Sequence, residues 1–108
     1  MSTTSNFTKR DMINSRNSFA LQDLDDGTAL QVEKAAVINR PDLETGEEKE
    51  VAILVTTDGT VYSAISATVR DVLDDIVDLI EDEGAAINVR LNKRKSKAGR
   101  EFLSLTVL

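Results

Sequence analysis

Histidine and cysteine are both absent from this chain of 108 residues. Without them there is no imidazole base at neutral pH, no Ser-His or Cys-His nucleophile pair, no common zinc ligand and no disulfide. Carboxylates, Lys and Tyr are the groups left for catalysis, and they form no constellation that points to an enzyme. The chain therefore reads as a protein that binds rather than catalyses, with no cofactor and no metal. No apolar run reaches membrane-spanning length, and residues 1–6 (MSTTSN) have neither the basic nor the apolar stretch of a signal peptide. A reducing, cytoplasmic setting is expected, in which the sequon at Asn6-Phe7-Thr8 has no chemistry to report. Aromatic residues are scarce as well: Phe7, Phe19, Tyr62 and Phe102 are all there are, so the core must be aliphatic.

What is present suits one α+β domain. Hydrophobic residues at 41% and charged residues at 30% give an ordinary globular balance, in a length that fits one compact unit. Residues 1–18 are expected to form an N-terminal segment, partly disordered, in which Thr8 to Asp11 fits a capping box opening a short helix. The binding domain is expected over 19–108. Asp23 to Gly27 reads as a turn, since it lacks the alternating ligands and terminal Glu of a calcium loop. From Thr28 to Ile38 the alternation runs through Leu30 and Val32 and resumes out of phase at Ala35 and Val37, which predicts a bulged strand. A loop follows over 39–48, with the only Pro. Val51, Ile53 and Val55, with Ala52 and Leu54 also apolar, predict a central strand. Asp58-Gly59 then suits a two-residue type I′ turn leading into a partner strand over 61–65.

Thr68 to Asp71 repeats the capping pattern, and Val69, Val72, Leu73, Ile76, Val77 and Ile80 share one helical stripe, predicting a helix over 68–83 closed by Gly84. Two further alternations, through Ile87, Val89 and Leu91 and through Leu103, Leu105 and Val107, predict strands joined by a basic hairpin. The fold class is thus mainly β with α+β character: five antiparallel strands, with one amphipathic helix between the third and fourth. That order fits an OB-fold, the partly open five-stranded barrel that binds oligonucleotides and oligosaccharides. A plain two-layer sheet covered by one helix has the same element list.

At this point the chain resembles the small OB-fold single-stranded-DNA-binding proteins of bacteriophage type. The resemblance covers residues 28–108 and rests on the element order, the VAILVTTDGTVYSAI hairpin, the acidic helix after it, and VRLNKRKSKAGREFLSLTVL at the end. It implies strand binding in phage or mobile-element replication or recombination, in a bacterial cytoplasm. The chain departs from the bacterial housekeeping proteins of this kind in ending on an apparent core strand, LSLTVL, rather than on an acidic tail.

Formal net charge is −6, which taken alone argues against nucleic acid, yet its distribution is polarised. Arg90, Lys93, Arg94, Lys95, Lys97 and Arg100 follow one another with no acid among them, whereas Asp71, Asp74, Asp75, Asp78, Glu81, Asp82 and Glu83 occur with no base. In an OB-fold the loop between the last two strands flanks the nucleic-acid cleft, so the basic hairpin would meet phosphates. A hairpin tip kept soluble by lysine is the other explanation. Tyr62 and Phe102 stand out of phase with the apolar residues around them, which makes both candidates for stacking on bases; filling a barrel end is the alternative use of such a ring. The acids suit a solvated helix face, a docking surface for replication proteins over 68–83, or phosphate mimicry. Lys9, Arg10 and Arg16 form a smaller basic group. Two readings stay open: a non-catalytic binder of single-stranded DNA, with self-association into homo-oligomers allowed, and an acidic interaction module or DNA mimic that inhibits a host factor.

Overall fold

Alternating apolar residues build the sheet, and one extra residue bends it. The computed structural model describes residues 3–41, 44–95, 97–99 and 101–108. In chain order its elements are helix α1 (Lys9–Asn14), strands β1 (Phe19–Ala20), β2 (Ala29–Pro41), β3 (Glu48–Thr56) and β4 (Val61–Ala64), helix α2 (Ala67–Glu83), and strands β5 (Ile87–Lys95) and β6 (Glu101–Val107), with single 3-10 turns at Ser15–Asn17 and Leu21–Asp23. The strands form one curled sheet in the order β1-β4-β3-β2-β5-β6. All neighbours are antiparallel except β1 and β4. The fold is mainly β, as expected, but the described sheet has six strands rather than five. The sixth is β1, whose two residues are too few to show a period, and counting it moves α2 to between the fourth and fifth strands.

The bulge falls where the phase slips: Val32 pairs with Thr56 and Lys34 with Val55, so Glu33 is the extra residue. It lets Leu30 and Val32 before it, and Ala35 and Val37 after it, join one core. It also ends the pairing with β5, which extends only over residues 29–32 of β2. Helix α2 lays Val69, Leu73, Ile76, Val77 and Ile80 against that core. Its cap is Ser66, whose side chain accepts from Val69 N–H (3.4 Å), so the box expected to begin at Thr68 does not form and the helix starts at Ala67. Gly84 takes the left-handed conformation expected of it (φ 63°) and donates its N–H to Ile80 O at 2.8 Å.

The turn between β3 and β4 also differs. Among the described residues only glycines have positive φ, so Asp58 cannot take the first position of a type I′ turn. Instead Gly59 N–H bonds Thr56 O (2.9 Å), Thr56 N–H bonds Thr60 O (3.0 Å), and Gly59 itself adopts φ 88°, the pattern of a type I turn with a glycine bulge. Asp58 fastens it by accepting from Thr60 N–H (2.9 Å) and from the Thr56 hydroxyl. No helix among the described residues is long and apolar enough to cross a membrane.

Candidate nucleic-acid interface

Period two sorts the β5–β6 hairpin into two faces. Ile87, Val89, Leu91, Leu103 and Leu105 point into the core with α2. The opposite, outer face carries Asn88, Arg90, Asn92 and Arg94 on β5, and the register sets Thr106 beside Arg90, Ser104 beside Asn92 and Phe102 beside Arg94. Asn92 Nδ2 donates to Thr106 Oγ1 at 2.6 Å, which holds the polar row in place. Because α2 packs on the inner face, its acids and these cations stand on opposite sides of the ribbon. All seven of those acids are exposed.

The hairpin cations are not equivalent. Arg90, Arg94, Lys95 and Lys97 are exposed, and among the described residues no carboxylate lies within ion-pair distance of any of them. Lys93 is half-buried and points the other way: its Nζ donates to Gln22 O (2.8 Å), while its N–H donates to Asp26 Oδ1 (2.8 Å). It ties the hairpin to the turn before β2. Arg100 lies outside the described residues.

Phe102 is half-buried on the face opposite Leu103, as the alternation predicts, and lines a cleft of about 400 Å³ between the two ends of the sheet, with Ala20, Gln22, Ala64 and Ile65. Ser66 Oγ reaches across one end of this cleft to Leu103 O (3.5 Å). Tyr62 differs from expectation. It and Ala64 pack against the main core, whereas Val61 packs on a second cluster of Ala36, Ile38, Val51 and Ile53 on the outer face. Both faces of β3 are apolar, so alternation in β4 could not tell which of them holds α2. Beside Tyr62, Phe19 is 66% exposed, with ring centroids 6.3 Å apart at 48°.

The second cluster is covered by the N-terminal segment. Thr3 bridges Ala36, and Thr4 N–H bonds Ala35 O (2.9 Å), on the edge of β2 that β5 has left. Residues 19–20 pair with β4, on the far side of β3. The chain between must cross β3, and it does so over the outer face, where Phe7 packs on the second cluster. The capping box at Thr8 and Asp11 forms as expected (3.3 and 2.8 Å). Lys34 Nζ bonds Asp11 Oδ2 at 3.1 Å, and Arg40 Nη2 bonds Ser15 Oγ at 2.6 Å. Burial pushes the Asp11 carboxyl up, but the Thr8 N–H and hydroxyl and the Lys34 ammonium outweigh it and hold the group below its ordinary range.

Over its whole length, residues 1–108, the chain matches the family described as phage single-stranded DNA-binding protein. It belongs to that family. It is 32% identical over 102 residues to the single-stranded DNA-binding protein of Bacillus phage B103, covering 90% of this chain and 84% of the relative. The proteins of the same name from Bacillus phages phi29 and PZA are each 30% identical over 89 residues, covering 80% of this chain and 72% of theirs. No solved structure matches.

For a member of the phage single-stranded DNA-binding protein family, two groups of residues escaped sequence reasoning. Phe19 precedes a turn with no periodic run around it. Asn88, Asn92, Ser104 and Thr106 carry no charge to draw attention; period two puts them on the face of Arg90, Arg94 and Phe102, and the register shows which of them stand side by side.

Proposed function

We propose that the protein binds single-stranded DNA without changing it chemically, through the β5–β6 hairpin. Arg90, Arg94, Lys95, Lys97 and Arg100 neutralise phosphates, Lys93 braces the hairpin beside them, and Phe102 offers its ring to bases. The observation that carries this reading is a run of exposed cations, Arg90, Arg94, Lys95 and Lys97, with no carboxylate within ion-pair distance among the described residues, in a member of this family. Leaving out β1, the sheet order and the placement of α2 support a partly open OB barrel, whose gap is the cleft between β4 and β6. Residues 19–108 then make the binding barrel and residues 1–18 a segment laid on it, at work in the cytoplasm of the phage's host. The acidic face of α2, opposite the DNA side, is the surface offered to replication proteins, and self-association belongs to the same reading.

Phosphate mimicry by α2 is tested against this in one variant. With Asp74, Asp75 and Asp78 changed to Asn, single-strand affinity measured by fluorescence anisotropy stays the same or rises slightly, since those charges repel DNA only at long range, beyond a Debye length of roughly 8 to 10 Å. A collapse of oligonucleotide binding in this variant, with its circular-dichroism spectrum unchanged, would contradict the proposal.

A further inference from the structure

We infer that single-stranded DNA runs along the outer face of β5 and β6, beside the first half of β2, and not over β3 and β4. The inference rests on the strand-binding reading above. An OB barrel offers oligonucleotides the face over its second and third strands, which here are β3 and β4. In this chain that face is taken. Val51, Ile53 and Val55 are 7%, 0% and 5% exposed, Phe7 lies on the second cluster, and Ser63 Oγ on β4 accepts from Ser18 Oγ at 2.8 Å. The segment that covers it is fastened at both ends, to Ala35 by Thr4 and to β4 through residues 19–20, and between them to Lys34 and Arg40.

The outer face of β5 and β6 is open and complementary. Arg90 and Arg94 stand four residues apart on one strand, roughly 13 Å, far enough to meet separate phosphates. Asn88 and Thr106, and Gln31 on β2 opposite Asn88, are exposed and supply amide and hydroxyl groups to phosphates or base edges. Phe102 ends the row beside Arg94, at the cleft. The competing route, over α1, offers Lys9, Arg10 and Arg16, a smaller basic group than that of the hairpin.

The natural absence of cysteine makes the route directly measurable. Thr106→Cys places one thiol on the β6 outer face, and Ile13→Cys places one on α1, where the side chain is 63% exposed. Each variant is alkylated with N-ethylmaleimide, with and without saturating oligothymidylate, after anisotropy has shown that the oligonucleotide is bound. The expected result is slowed alkylation at Thr106→Cys and an unchanged rate at Ile13→Cys. Protection at Ile13→Cys, or none at Thr106→Cys while the oligonucleotide is bound, overturns the route. Failure of the parent protein to bind the oligonucleotide overturns the strand-binding reading itself, and the route with it. Arg90→Ala, away from the hairpin tip, is a second check: its log–log salt slope is less steep by about 0.7, the share of one phosphate on a single strand, and an unchanged slope counts against the route.

Discussion

Replacing Arg94, Lys95 and Lys97 together by alanine removes three exposed cations from the hairpin while leaving Lys93, whose Nζ is bonded to the Gln22 carbonyl. The choice matters, because a fourth substitution at Lys93 would mix lost binding with a loosened hairpin. Each phosphate neutralised on a single strand contributes about 0.7 to the slope of log affinity against log salt, so three lost contacts make the slope shallower by about 2. With the two lines meeting near molar salt, the variant binds about a hundredfold more weakly at a tenth of that concentration, or about 2.8 kcal/mol. Anisotropy of a labelled oligothymidylate, titrated at several salt concentrations for parent and variant, reads both quantities. None of the three side chains is buried, so the thermal midpoint and circular dichroism stay those of the parent. A variant that is folded and keeps the parent's slope would refute the hairpin as the phosphate site.

Two further predictions separate other parts of the account. Phe102→Ala weakens single-strand binding by about 1 to 3 kcal/mol, the worth of one stacked base, while the salt slope stays as it was; an equal loss of slope would mean that the ring acts by placing Arg94 instead. The second concerns Asp11, whose carboxyl is held below its ordinary value of 3.8, so its bonds to Thr8 and Lys34 stabilise the folded state fully above that value and progressively less as pH falls through the lower folded value. Urea unfolding across this acid range shows a steeper loss of stability for the parent than for Asp11→Asn, and parallel curves would contradict the role given to Asp11.

The legible parts of the fold were those where local chemistry has one solution. Glu33 lies where the alternation slips, Thr8 and Asp11 can satisfy each other's orphan amides, and Gly84 ends a stripe that only a helix explains. Elsewhere two local solutions competed. Ser66 and Thr68 both suit a helix cap, and the one in extended backbone at the end of the hairpin took the position. Residues 3–7 look unconstrained because no period runs through them; their order comes from β2, whose edge is left free by the bulge. The site was legible as charge but not as direction. Lys93 counts among the cations in composition, yet it shares the inward phase of Ile87, Val89 and Leu91, whereas Tyr62 lies beside a strand apolar on both faces and turns toward the core. That outcome depends on which apolar face α2 covers, a choice made only in the folded chain.

Titration of the parent protein into a labelled single-stranded oligonucleotide at low salt, where attraction to phosphates is least screened, tests the central claim most directly. Saturable binding that weakens linearly in log–log form as salt is raised is the predicted result. No rise in anisotropy at low salt, from protein shown to be folded, would contradict it.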